Sequence, residues 1–209
     1  RAVGCILAAA LFSAASVAGQ ATDLAALVDS FYPPELTELA KEAGVSPKRE
    51  QCFAVLESDR SGNARVIVAA YTNLTAGAVR VLAAGDSGFT LVAEPAGELH
   101  MGWQCEVRPV DLEQDGKYEA HVKFLANNGS EDWIYSWDGQ QLVNLTPVTA
   151  GPNGILLTSL INASVLDADG DGTLEVFTFS QTKGNEQPPP AEIYRLSNGR
   201  FVLDRPVVG

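Results

Sequence analysis

From residue 50 onward the apolar positions fall into short runs in near alternation with polar ones, and the runs recur. Val66-Ile67-Val68-Ala69-Ala70-Tyr71, His121 to Leu125 and Val176 to Phe179 are rich in β-branched and aromatic residues, and each follows an acidic segment containing glycine. Runs of this kind predict strands. Each is followed by two further arms: Val79 to Leu82 and Phe89 to Val92, Trp133 to Trp137 and Gln140 to Val143, Glu192 to Leu196 and Arg200 to Leu203. Between the arms lie Asp86-Ser87-Gly88, Asp138-Gly139 and Asn198-Gly199. Asp-Gly and Asn-Gly are two-residue turn signals, because both turn residues tolerate positive φ. The pattern predicts an all-β chain of three four-stranded antiparallel repeats with the build of propeller blades, over about 51–103, 104–158 and 159–209.

Ahead of the repeats the periodicity changes. Leu24, Ala25, Leu27, Val28 and Phe31 sit at helical spacing, and Pro33-Pro34 breaks the run. Leu36, Leu39, Ala40 and Ala43 resume it until Gly44. Two short helices are expected within residues 22–50, as a structural cap or as an arm for a partner. Residues 1–21 have the form of a secretory signal: Arg1, an uncharged apolar stretch from Ala2 to Val17, and small residues at Ser16-Val17-Ala18 or Gly19-Gln20-Ala21. The stretch is short and weakly flanked for a membrane helix, so a secreted or periplasmic protein without a stable span is expected.

Charge narrows the partners. With 26 acidic against 14 basic residues, the net charge of −12 argues against nucleic acid or an anionic membrane surface. Cys52 and Cys105 stand five and six residues before the acidic segments of their repeats. Equivalent strands of adjacent repeats lie near each other, so in an oxidising compartment a disulfide is expected, with two buried thiols as the alternative.

The acidic segments carry the chemistry. Asp167-Ala168-Asp169-Gly170-Asp171-Gly172-Thr173-Leu174-Glu175 and Asp111-Leu112-Glu113-Gln114-Asp115-Gly116-Lys117-Tyr118-Glu119 place carboxylates at positions 1, 3, 5 and 9, with glycine at 6. Alternate side chains then converge on one point, glycine permits the sharp turn, and position 7 can add a carbonyl, which suits a hard divalent cation. An EF-hand is excluded. Its loop needs a bidentate Glu at position 12, where these have Thr178 and Val122, and strands follow instead of helices. Position 1 falls at Glu57, Asp111 and Asp167, so the repeats are 54 and 56 residues apart. The first loop, Glu57 to Arg65, keeps Gly62 but loses two carboxylates. There Arg65 can stand in for the cation beside Glu57 or Asp59, and the loop is expected to fold without metal.

These loops, the period and the closing hairpins resemble the FG-GAP/VCBS repeat family, which includes the propeller blades of integrin α-subunits and many bacterial secreted proteins. The likeness covers residues 52–203. It implies Ca²⁺ as the cofactor, in a mainly structural role. By matching positions it implies Asp167, Asp169, Asp171, the Thr173 carbonyl and Glu175 as ligands of one ion. For a second ion it implies Asp111, Glu113, Asp115, the Lys117 carbonyl and Glu119. The eponymous Phe-Gly and Gly-Ala-Pro segments are absent, and Glu113 is longer than the usual Asp or Asn. Closed propellers need about 4–8 blades. Three repeats therefore imply an open or small array, closure by homo-oligomerisation, or completion of a blade by the chain ends.

Other motifs read as structure. Gly85-Asp86-Ser87-Gly88 imitates a serine-protease nucleophile motif, yet no positioned His base accompanies it and its glycine aligns with the hairpin turns. Sequons begin at Asn73, Asn128, Asn144 and Asn162 and fit polar loops. Trp103, Trp133, Tyr135 and Trp137 form either a sugar-stacking face or the core between blades. The expectation is a non-enzymatic, exported Ca²⁺-binding module for a cell-surface protein or glycan. A carbohydrate-active hydrolase using Glu94 with Glu98 or Glu131 with Asp132, and a purely structural module, are the competing readings.

Overall fold

The computed structural model describes residues 24–44, 50–73, 76–94, 102–126, 129–146, 149–150, 156–157, 160–178 and 192–206. The signal segment 1–21 and Glu98 lie outside them. Helix α1 (24–30) belongs to a compact unit that ends at Tyr32, and helix α2 (Pro34–Glu42) opens the second unit, Pro33 to Gly209. Proline suits the first turn of α2, where its missing N–H is not needed. Gly44, at φ +66°, lies just beyond its end, and its N–H bonds back to the Lys41 carbonyl. Leu36 and Ala40, one turn apart, are buried.

Helix α2 is tied to the first sheet by polar contacts. Asn73 donates from Nδ2 to the Leu36 carbonyl and accepts the Ala76 N–H at 2.8 Å. It is fully buried, so its sequon cannot carry a glycan. The Arg80 guanidinium lies 3.1 Å from Glu35 and 3.2 Å from Glu94.

The first sheet has the order β1 (Glu50–Ser58), β2 (Ala64–Thr72), β3 (Gly77–Gly85), β4 (Gly88–Ala93). The second is built from β5 (Gln104–Val110), β6 (Glu119–Ala126), β7 (Gly129–Trp137) and β8 (Leu142–Asn144). Two short pieces, β9 (Thr149–Ala150) and β10 (Leu156–Leu157), pair with each other, and β11 (Leu160–Ile161) joins the second sheet. The third has the order β12 (Ser164–Leu166), β13 (Glu175–Thr178), β14 (Glu192–Ser197), β15 (Arg200–Pro206). All pairings are antiparallel. The chain is therefore all-β with three blade-like sheets, and in each an acidic loop joins the first strand to the second.

One hairpin turn follows the turn reading and another departs from it. In the third sheet Asn198 and Gly199 form a two-residue turn at φ 52° and 69°, as their chemistry requires. In the second, Trp137 pairs with Leu142, so Asp138 to Gln141 make a four-residue connection. Asp138 Oδ1 accepts the N–H groups of Gln140 and Gln141, both at 2.8 Å, and so caps a wider loop than Asp-Gly alone predicts. The free edge of β7 is also shared. Strand β8 covers Tyr135 to Trp137, and β11 covers Glu131 and Asp132.

Alternation along β6 and β7 assigns the two faces of the second sheet. Ala120, Val122, Phe124, Trp133 and Tyr135 pack with Ala54, Leu56, Val66, Val68, Ala70, Val79 and Val81 of the first sheet. Ile134, on the other face, packs with Leu160, Ala163, Val176 and Tyr194 toward the third. Trp133 and Tyr135 thus resolve as core. Trp133 meets Phe124 edge-on at 5.8 Å and 78°. Trp137 packs, half-buried, against the same cluster. The disulfide joins Cys52 on β1 to Cys105 on β5 with Cα atoms 5.8 Å apart, stapling the first two sheets.

Candidate metal centre

The loop between β12 and β13 is held by its own carboxylates. Asp167 accepts the N–H of Gly170 at 2.7 Å with Oδ1 and that of Gly172 at 2.9 Å with Oδ2. Asp169 accepts the Asp171 N–H at 3.3 Å, and Asp171 accepts the Thr173 N–H at 2.8 Å. Glu175, fully buried at the start of β13, reaches back to the Ala168 N–H at 2.8 Å through Oε2. Gly170 and Gly172, at φ +77° and +91°, allow the chain to coil around these oxygens.

Asp167, Asp169 and Glu175 bring one oxygen each within 4.8 Å of one another and can hold a metal ion. A Ca²⁺ ion bound at about 2.3–2.6 Å spans about 4.6–5.2 Å between opposed ligands, so all three oxygens fit one such ion. Their chemistry is hard carboxylate, with no nitrogen or sulfur donor in the group. Glu175 Oε1 is buried and accepts no hydrogen bond. A buried carboxylate oxygen left in that state is costly, and a coordinated cation would satisfy it. Asp171 is exposed at the loop's rim. Its pKa is lowered by the Thr173 N–H and then by a nearby guanidinium.

That guanidinium belongs to Arg195, which the sequence reading passed over. Residue 195 pairs with Glu175 across β13 and β14. Arg195 Nη2 lies 2.5 Å from Asp169 Oδ2 and 3.0 Å from Glu175 Oε1, and Nη1 lies 3.2 Å from Asp171 Oδ2. The Glu175 approach is an ion-pair contact along which no N–H is directed. Burial alone would lower the pKa of Arg195, but the surrounding carboxylates outweigh it and raise it. The signal was present in the hairpin register, since residue 195 is the cross-strand partner of position 9.

The loop between β5 and β6 repeats the internal bonding. Asp111 accepts the N–H groups of Asp115 and Gly116, each at 3.1 Å, Asp115 accepts that of Lys117 at 2.9 Å, and Glu119 accepts that of Leu112 at 3.2 Å. Position 9 thus bonds to position 2 in both loops. Glu113 and Lys117 are exposed, with the Lys117 ammonium 3.2 Å from Asp115. The Lys117 N–H, and then its side chain, hold the Asp115 pKa below the usual value. Burial raises that of Glu119, with Asp115 and Glu113 adding to the effect against the Leu112 N–H. Among the described residues these carboxylates do not close into a group like that of the third sheet.

The first loop is organised around Asp59, which accepts the N–H groups of Ser61 and Asn63 at 2.8 and 3.0 Å. Arg65 Nη2 lies 3.5 Å from Asp59 Oδ2, the pairing its position suggests. Ser87 lies in the exposed β3–β4 turn, and Asp132 is fully buried. No described helix is long and apolar enough to cross a membrane. No family model matches the chain, and neither a curated protein nor a solved structure matches it.

Proposed function

We propose that the chain is an exported Ca²⁺-binding β-repeat protein of the FG-GAP/VCBS type, a non-enzymatic binding module braced by structural metal. The observation that carries the proposal is the convergence of Asp167, Asp169 and the buried Glu175 on one point of a tight β-connection. The recurrence of the same loop bonding in the middle repeat supports it. The Cys52–Cys105 disulfide favours an oxidising compartment and hence export. Loops held at blade edges by metal would present a fixed surface to a cell-surface protein or a glycan. The aromatic residues weighed as a sugar-stacking face are largely taken up by the core, so recognition would fall to the loops.

Because metal binds the folded loop and not the unfolded chain, saturating Ca²⁺ raises the melting temperature. At one hundred times Kd the gain is about 2.7 kcal/mol, or roughly 5 to 10 °C for a domain of this size. Elemental analysis and a melt in CaCl₂ against EDTA test this together. Asp167→Ala and Asp169→Ala should abolish uptake at the third loop. Absence of bound metal, with identical melts in both buffers, would refute the reading.

A further inference from the structure

We infer that Arg195 is a built-in competitor for the third loop, so that a divalent cation enters only as the guanidinium swings away toward Asp204. The inference rests on the reading of residues 167–175 as a cation site and concerns how that site is regulated.

Three observations carry it. First, Arg195 sits among the oxygens a metal would use, within 3.2 Å of Asp169, Asp171 and Glu175. A +1 group and a divalent ion cannot occupy that space together. Second, the guanidinium satisfies the loop incompletely. Glu175 Oε1 is buried without a hydrogen bond, and Arg195 Nε, also buried, makes none. A hard ion coordinates oxygen from any direction and lacks this geometric shortfall, whereas a planar guanidinium must align its N–H groups. Third, a second partner already flanks the side chain. Arg195 Nε lies 3.6 Å from Asp204 Oδ2 on β15, the strand on the far side of β14. Rotation of the side chain away from the loop carries the charge toward that carboxylate, so displacement does not leave it unpaired.

Comparison among the repeats sets the device apart. The β6–β7 ladder ends at Ala120 with Tyr135; one residue further along β7, Ser136 stands at the position that Arg195 holds opposite Glu175 in the third sheet. Ser136 carries no charge to compete with. The first loop has its guanidinium at position 9 itself, as Arg65. The chain thus contains a loop with a guanidinium in its own sequence, one with only the exposed Lys117 ammonium beside Asp115, and one with a guanidinium supplied from the neighbouring strand. Of the three loops, only the last combines a full carboxylate set with a guanidinium that bridges three of its carboxylates. The third loop therefore fills at higher Ca²⁺ than its carboxylates alone would require.

The test is calorimetric titration of the full chain with CaCl₂ in an Asp111→Asn, Asp115→Asn background that silences the middle loop. Each charged contact at a partly exposed site is worth up to about fivefold in affinity, and Arg195 makes three with the loop. Arg195→Gln should tighten binding by about ten- to a hundredfold, while Arg195→Lys stays within about fivefold of the parent. Asp204→Asn should weaken binding with Arg195 present and have no effect in the Arg195→Gln protein. Equal or weaker binding by Arg195→Gln overturns the competitor while leaving the site intact. Failure of both proteins to take up Ca²⁺ overturns the site reading and the competitor together. A readout that needs no variant fold is the Nε–H resonance of Arg195 in otherwise unaltered protein. It should shift in step with Ca²⁺ occupancy, and a resonance unmoved at saturation sinks the inference.

Discussion

His121 Nε2 lies 2.8 Å from Asp132 Oδ1 on the face of the second sheet that turns toward the third, and neither side chain is open to solvent. Asp132 also accepts from Ser130 Oγ and from the Ala163 N–H at 3.1 Å, with the Lys123 ammonium 3.0 Å away. Lys123 in turn donates to the Ala163 carbonyl at 2.7 Å. Burial alone would raise the Asp132 pKa, but His121, Ser130 and Lys123 together lower it below its usual 3.8. As an ionised carboxylate it only accepts, so Nε2 of His121 carries the hydrogen. The cluster fastens the chain at Ala163 to β6 and β7.

Asp132→Asn should cost about 3–5 kcal/mol near neutral pH, because it leaves a buried charge unpaired. An acid with a depressed folded pKa stabilises the fold above its unfolded value, and that contribution is lost as pH falls through the folded one. Urea melts at pH 7 and pH 3 should therefore show the difference between the native and Asn proteins shrinking below pH 3.8. An equal gap at both pH values would refute the assignment.

Glu119→Gln separates metal from fold in the middle loop. Glu119 is buried among like charges, and Gln keeps the acceptor for the Leu112 N–H. In EDTA at neutral pH the variant should melt higher than the parent. In CaCl₂ the order should reverse, as the variant loses a ligand. Melting curves in the two buffers decide, and an unchanged order counts against metal at this loop.

Replacing Cys52 and Cys105 by serine opens a bridge that closes 53 residues of chain. The loss should be about 2–5 kcal/mol in chemical denaturation. The Ca²⁺ response of the third loop should persist, since the bridge joins the first two sheets only.

Gly77 of the first sheet lies against the Phe124 ring of the second, which an added Cβ would run into. Phe124 is fully buried and in edge contact with Trp133, so the ring cannot give way freely. Gly77→Ala should cost about 1–3 kcal/mol, read from the denaturation midpoint. A neutral result would show that the two sheets can separate slightly at no cost.

Much of the architecture was legible because it is local. The strands after each loop, the Asn198-Gly199 turn and the break at Pro33-Pro34 follow from residue chemistry within a few positions. The pairing of Cys52 with Cys105 followed from repeat register. What stayed hidden depends on register at a distance. Leu160-Ile161 is too short a run to announce a strand, let alone its partner. The reach of Asp138 to two backbone N–H groups widened a turn whose Asp-Gly pair looked decisive. Arg195 stands twenty residues after Glu175 and meets it only through hairpin alignment. In the third loop the acidic oxygens were visible in the sequence, whereas the cation beside them was not.

The divided edge of β7 has a consequence for how the molecule comes apart. Residues 160–161, which lead into the third sheet, complete the border of the second, so the two share a seam rather than a hinge. Cutting the gene between the apparent second and third repeats would leave half of that border bare, a row of open backbone groups inviting another chain. Trimmed versions should therefore self-associate, and the last two repeats should melt as a single cooperative block.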